Sequence, residues 1–292
     1  MERILAQDRQ RLPSWLKRPM GQPTRLHEMK RVLRSRGLHT VCEEARCPNI
    51  GECFAKPTAT FMIMGRACTR NCGFCSVDKA HSPLALDPME PENIAITARE
   101  LGLRHVVVTS VTRDDLLDGG ALHFAKTISK VREALPDALI EVLTPDFNGD
   151  ERALDIVLNA SPHIFNHNVE TVPSLYPIVR PKADFQRSLD VLKFARSKGA
   201  VTKSGFMAGL GETREEVRQL LIMLSEADVD IVTIGQYLRP TLKNLEVKEF
   251  ISLEVFAEYE VYGKEAGIKE VSSGPFVRSS YNAEKVWKSL RG

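Results

Sequence analysis

Residues 105–143 read HVVVTSVTRDDLLDGGALHFAKTISKVREALPDALIEVL. His105–Ser110, with Val106, Val107 and Val108 at its centre, is a β-branched apolar run with little polar alternation. Such a run suits a parallel strand covered on both faces. A polar, glycine-containing stretch ends it, Ala121–Leu135 reads as a helix, and Leu139–Leu143 reads as the next strand. A strand, a crossover helix and a second strand form the unit from which parallel sheets are built, with a right-handed crossover.

The same rhythm extends in both directions. Upstream, Ala59–Met64 is a short apolar strand and Glu92–Leu101 a helix. Downstream, helices at Glu151–Asn159, Arg187–Ser197, Arg214–Glu226 and Leu253–Ala266 alternate with strands at His163–Asn166, Val201–Met207 and Ile231–Ile234. About six strand–helix units fall short of the eight of a closed barrel. The predicted fold is therefore α/β, a partial (β/α)6 TIM-like barrel, chosen over a doubly wound sheet. It occupies residues 56–268, between an N-terminal extension (1–55) and a C-terminal extension (269–292). The N-terminal extension is punctuated by Pro13, Pro19, Pro23 and Pro48 and carries one helical stretch, Thr24–Ser35. In such folds the chemistry gathers at the carboxyl ends of the strands. Gly65–Cys75, Thr109–Gly120, Asn166–Glu170, Gly209–Thr213 and Gly235–Pro240 all follow strands, so one open face collects them.

The chain has 292 residues, 43% apolar and 27% charged, as in ordinary globular proteins. A net charge of +2 gives no argument for nucleic acid or an anionic membrane. No run of 18 apolar residues is present and Met1–Gln10 lacks an apolar signal core, so a cytoplasmic location with no membrane span is expected. All six cysteines (Cys42, Cys47, Cys53, Cys68, Cys72 and Cys75) crowd into one short window. In a reducing compartment such crowding points to metal rather than to disulfides.

Cys68, Cys72 and Cys75 form C-x3-C-x2-C within CTRNCGFC. Soft thiolates suit zinc or iron–sulfur clusters. A cubane cluster normally takes four cysteines, and a triad leaves one iron open to bind and reduce a substrate. Structural zinc prefers two close pairs, which would leave Cys68 odd, although zinc remains an alternative. Cys42, Cys47 and Cys53 form a looser C-x4-C-x5-C. That set reads either as a second three-cysteine cluster site or as buried small residues.

With both triads in view, the sequence resembles the lipoyl synthase family of the radical S-adenosylmethionine superfamily. The likeness rests on CEEARCPNIGEC (Cys42–Cys53), CTRNCGFC (Cys68–Cys75), TSVTRDDLLDGGA (Thr109–Ala121) and FNHNVETVPSLY (Phe165–Tyr176). It continues through RPKADFQRSL (Arg180–Leu189), KSGFMAGLGET (Lys203–Thr213), IGQYLRPT (Ile234–Thr241) and GPFVRSSY (Gly274–Tyr281). Lys182 and Asn282 depart from the usual residues of the family.

The resemblance implies two [4Fe–4S] clusters and S-adenosyl-L-methionine as cofactors. Cys68, Cys72 and Cys75 would hold the cluster that cleaves S-adenosylmethionine. Cys42, Cys47, Cys53 and a serine of RSSY, with Ser280 favoured, would hold a sulfur-donating auxiliary cluster. Sulfur would enter at C6 and C8 of an octanoyl chain on a carrier-protein lysine. Implied partners are the octanoylated lipoyl domains of 2-oxoacid dehydrogenases, the glycine cleavage H protein, a flavodoxin- or ferredoxin-type reductant and iron–sulfur delivery proteins; no nucleic acid is implied.

Asp118, Gly119 and Gly120 take the place of the family segment that meets the methionine amino group, against a plain loop before a helix. Asn166, His167, Asn168 and Glu170 end one strand as a convergent polar group. Glu170 and Arg180 are the expected polar contacts to S-adenosylmethionine, since an arginine pairs bidentately with a carboxylate. Lys203 is read as a cofactor contact or as a salt bridge in the barrel mouth, and Asp114 and Asp115 as loop contacts or a solvated pair. The alternatives to this function are another radical enzyme with an auxiliary cluster, such as a methylthiotransferase, and a binding module with structural zinc.

Overall fold

The computed structural model describes residues 12–17, 23–45, 47, 49–50 and 58–279. Cys53 and Ser280 lie outside the described residues. Among the described residues, helices α1 (Pro23–Ser35) and α2 (Val41–Glu44) flank a short strand β1 (His39–Thr40). The main sheet then begins with β2 (Thr58–Ile63). Two two-residue strands, β3 (Ala67–Cys68) and β4 (Asp78–Lys79), pair with each other and bracket the downstream cysteine loop.

From there strand and helix alternate: α3 (Glu90–Glu100), β5 (His105–Ser110), α4 (Ala121–Ala134), β6 (Leu139–Leu143), α5 (Glu151–Asn159) and β7 (Ile164–Asn166). The short α6 (Tyr176–Val179) precedes α7 (Phe185–Ser197), β8 (Thr202–Ala208), α8 (Arg214–Glu226), β9 (Ile231–Gln236), α9 (Leu253–Glu265) and β10 (Glu270–Gly274). The sheet order is β1-β2-β5-β6-β7-β8-β9-β10, parallel from β2 to β10, with β1 antiparallel at one edge. Neighbouring parallel strands therefore follow chain order, as in a barrel wall, and the wall stays open.

The six strand–helix units lie where the sequence places them. One strand was not foreseen: Glu270–Gly274 pairs in parallel with Ile231–Gly235, so the sheet runs on into the segment read as a C-terminal extension. The helix boundaries follow local chemistry. Asp150, Asp184 and Ser252 accept from backbone N–H groups in the first turns of α5, α7 and α9. Thr213 and Glu216 form a reciprocal capping box on α8. Such caps satisfy N–H groups that the helix itself leaves unpaired.

Successive side chains on a strand point to opposite faces. One face of β5, β6 and β8 packs Val106, Val108, Ile140, Val142 and Phe206 into the cores shared with the helices. The other face is polar near the strand starts. Lys203 Nζ donates to Glu141 Oε1 at 3.0 Å, across the intervening β7, and the Asn166 amide donates to the same oxygen at 3.1 Å. His105 Nε2 lies 3.3 Å from Glu141 Oε2. Two residues further along each strand, Leu143 and Gly205 line a cavity of about 370 Å³. The polar layer thus closes the bottom of the barrel, and the cavity opens toward the carboxyl ends. No described helix is long and apolar enough to cross a membrane.

Candidate functional site

The cavity draws its wall from both ends of the chain. Thr60 of β2, Leu143, Gly205, Met207, Thr233 and Gly235 supply the strand positions. Cys42 and Cys47 of the upstream set, Phe74 and Cys75 of the downstream set, and Arg278 and Ser279 complete it. Gly235 explains how the last of these arrives. A methyl group there would run into the carbonyl of Val277, so only glycine lets the segment after β10 cross this close to β9. Asn49, 1% exposed, donates from its side-chain amide to the Phe276 carbonyl at 2.7 Å, which ties the upstream cysteine segment to the same crossing.

The loop carrying Cys68, Cys72 and Cys75 is fastened from several sides. The Thr69 and Gly73 backbone N–H groups donate to the carbonyls of Thr112 and Val179 at 3.1 and 2.9 Å. Leu245 N donates to the Gly73 carbonyl at 3.0 Å, and the Asn244 amide reaches the carbonyls of Gly73 and Cys75 at 3.2 and 3.0 Å. Lys182 Nζ donates to the Thr69 carbonyl at 3.0 Å, so this departure from the family pattern touches the cysteine loop. Cys68 Sγ accepts from the backbone N–H groups of Arg70 (3.4 Å) and Thr112 (3.3 Å).

Burial pushes the Cys72 thiol up; Arg180 opposes this, and Cys75, Glu170 and Cys68 add to it. Burial likewise pushes Cys75 up, with Lys79 opposing. Cys72 and Cys75, which feel each other and Cys68, are thus disfavoured as thiolates unless a positive centre joins them, and a bound metal deprotonates a coordinating thiol outright. Soft donors and the two N–H groups aimed at the Cys68 sulfur therefore fit a cluster.

Asn168 and Glu170 line the cavity. Glu170 adopts φ +68°, an uncommon value for a residue with a side chain. Its N–H donates to the Gly205 carbonyl and its carbonyl accepts from Met207 N, which prolongs the β7–β8 pairing. Burial pushes the Glu170 carboxyl up, against Arg180 and the Asn168 amide. Arg180, 8% exposed, donates through Nη1 to the carbonyls of Asn168 and Val169 and to the Tyr176 hydroxyl. Asn168 Oδ1 and Arg180 Nε are buried without a partner among the described residues. An unpaired buried acceptor and donor are costly, which suits groups kept for a ligand. His167 Nδ1 lies 2.9 Å from the Thr144 carbonyl; burial pulls it down to about 4, with Arg180 acting in the same direction, so it is neutral.

Three further sets of residues find partners within the protein itself. Asp118, Gly119 and Gly120 do not line the cavity. The Asp118 carboxylate accepts from Gly120 N and Leu122 N and starts α4, and Gly120 holds φ +91° against Met64, where a side chain would collide. Lys203 takes the salt-bridge alternative, in the polar layer below the cavity. Asp114 and Asp115 stay exposed, but each has a partner: Arg70 binds the first and Arg113 the second, each through two hydrogen bonds.

Comparison with known proteins agrees with this architecture. The family model of the radical SAM superfamily matches residues 62–224, and the model of the N-terminal domain of lipoyl synthase matches residues 2–47. A curated lipoyl synthase from Caldanaerobacter subterraneus subsp. tengcongensis is 55% identical over 285 residues, covering 97% of this chain and 99% of its own.

The chain belongs to the lipoyl synthase family.

Other lipoyl synthases, from Rubrobacter xylanophilus and Caldicellulosiruptor saccharolyticus, are 51% and 52% identical, covering 96% and 95% of this chain and 87% and 98% of their own. Among solved structures, methylornithine synthase shares the fold at a TM-score of 0.56 and 18% identity, over 80% of each chain. A lipoyl synthase uses S-adenosylmethionine and [4Fe–4S] clusters, which resolves the zinc alternative in favour of iron–sulfur. The structural-zinc module is thereby set aside, and so is the methylthiotransferase.

Proposed function

We propose that this chain is a lipoyl synthase that inserts sulfur at C6 and C8 of an octanoyl chain held in amide linkage on a carrier-protein lysine. One observation carries the reading: Cys42 and Cys47, Cys75, and Ser279 of the RSSY motif line one cavity. Cys68, Cys72 and Cys75 would hold one cluster, together with S-adenosylmethionine. Cys42, Cys47, Cys53 and Ser280 would hold the auxiliary cluster. When bound, these groups supply the 5′-deoxyadenosyl radical that removes hydrogen and the sulfur that replaces it.

The residues of the chain supply the rest. Asn168 Oδ1 and Arg180 Nε, buried without a partner among the described residues, suit the amino and carboxylate groups of S-adenosylmethionine. Phe74, Leu143, Met207, Tyr237 and Val277 give the cavity an apolar wall for an alkyl chain and exclude water from a reactive carbon. Substrates are octanoylated lipoyl domains and the glycine cleavage H protein. A flavodoxin- or ferredoxin-type donor provides electrons, and iron–sulfur delivery proteins rebuild the auxiliary site, in the cytoplasm.

The test is an anaerobic reaction with an octanoylated lipoyl-domain peptide, S-adenosylmethionine and a strong reductant. Formation of 5′-deoxyadenosine together with two sulfurs on the peptide is expected; deoxyadenosine without peptide-bound sulfur overturns the sulfur-insertion reading. Ser280→Ala should leave S-adenosylmethionine cleavage intact and change the iron spectrum of the auxiliary site. A variant with the unaltered spectrum and full product yield removes Ser280 as a ligand. An oxygen ligand binds iron less well than thiolate, which suits a cluster that has to open.

A further inference from the structure

Arg70 sits between Cys68 and Cys72, where a charged residue would ordinarily point to water. Here its side chain is only 4% exposed. Nε and Nη2 donate to Asp114 Oδ2 and Oδ1, both at 2.9 Å. Nη1 and Nη2 donate to Asp146 Oδ2 and Oδ1 at 3.0 and 2.6 Å, and Nη2 also reaches Asn148 Oδ1 at 2.9 Å. Two carboxylates are thus gripped bidentately by one planar fork, a geometry a lysine ammonium cannot reproduce.

The anchors come from two different crossovers. Asp114 follows β5, and Asp146 and Asn148 follow β6. Asp146 is fully buried and is itself fixed, accepting from Asn148 N at 3.1 Å. The Arg70 main chain faces the other way, its N–H donating to Cys68 Sγ. One residue therefore joins the first sulfur of the downstream triad to the rigid rim of the barrel.

We infer that Arg70 is a positioning residue for S-adenosylmethionine cleavage, setting where the Cys68–Cys75 loop stands relative to the unpartnered polar atoms of Asn168 and Arg180 through its double clamp on Asp114 and Asp146. This inference rests on the proposed role of that cysteine set. The structural logic is that of a second layer of contacts, which fixes ligand orientation without touching the reacting atoms. A displacement of about 1 Å at a reacting centre costs on the order of 10²-fold in rate.

The experiment compares the full-length reconstituted protein with Arg70→Lys and Asp114→Asn. Asp114→Asn removes half the clamp and leaves the buried Asp146 pair intact, so it reports even where Arg70→Lys folds poorly. For Arg70→Lys, 5′-deoxyadenosine formation should fall by about 10²-fold. Iron content should be retained, while the electron paramagnetic resonance change that S-adenosylmethionine induces in the reduced protein should be altered. Asp114→Asn should show the same changes to a smaller degree, with an unchanged melting temperature. Wild-type cleavage rates and wild-type spectra in Asp114→Asn, whether Arg70→Lys is active or unfolded, overturn the positioning role. Failure of the unsubstituted protein to make 5′-deoxyadenosine would instead count against the function proposed for the site.

Discussion

Cys72→Ala will form no 5′-deoxyadenosine above the buffer control, a fall of more than about 10³-fold, because members of an all-or-none constellation are not graded contributors. Cys68→Ala and Cys75→Ala should behave alike. Iron should drop from about eight to about four atoms per chain as one of two cubane clusters is lost. The melting temperature should move little, since the cysteine loop is held by backbone bonds to Thr112, Val179 and Leu245 that do not involve sulfur. Cys47→Ala should give the complementary result, with deoxyadenosine formed and no sulfur on the peptide. Iron analysis and product chromatography on the same anaerobic samples check both. A Cys72→Ala protein that still cleaves S-adenosylmethionine would separate the downstream triad from radical generation.

The second large effect concerns stability. Glu141 is wholly buried, and burial pushes its carboxyl up, but Lys203 and His105 outweigh this and hold it down at about 2. Lys203→Met removes the main compensating charge and should cost about 3–5 kcal/mol, as when one partner of a buried pair is deleted. The double variant Lys203→Met/Glu141→Gln should recover part of that loss, and urea titrations measure both.

The pH dependence has a defined sign. In the unsubstituted protein the Glu141 carboxyl lies below its unfolded value, so its contribution is present above about pH 4.5 and is lost as pH falls toward 2. Between pH 5 and 8 it is constant. Without Lys203, burial would lift the same carboxyl above its unfolded value, so the variant should lose stability as pH rises from 5 to 8. The neutral His167, held at about 4, favours higher pH between about 4 and 6.5 in both proteins and cancels from the difference. A stability difference independent of pH across that window would argue against a charged Glu141.

What could be read from the chain alone follows a physical line. His105–Ser110 and Leu139–Leu143 announce themselves because strands covered on both faces must be apolar throughout. Glu270–Gly274 reads EVSSG, small and polar, and gains its place only by pairing with β9 and packing Val271. No periodicity marks such a strand. The cysteines are visible because their chemistry and spacing are local. The anchors of their loop are not. Arg70 looks like a solvated charge, Asp114 and Asp115 look like a matched pair, and Asn244 lies 169 residues from the Cys75 carbonyl it holds. Lys203 offered two readings, and only the three-dimensional proximity of Glu141, on a strand two places away, selects one.

The crossing over Gly235 has a consequence for biogenesis. Residues 277–279, which finish the cavity wall, are made some two hundred residues after Cys75. At about 5–20 residues per second, translation leaves the two thiol sets without that wall for roughly ten to forty seconds. Metal loading that began on the nascent chain would meet an unroofed pocket, exposed to air and to competing ions. Assembly after release from the ribosome avoids that exposure.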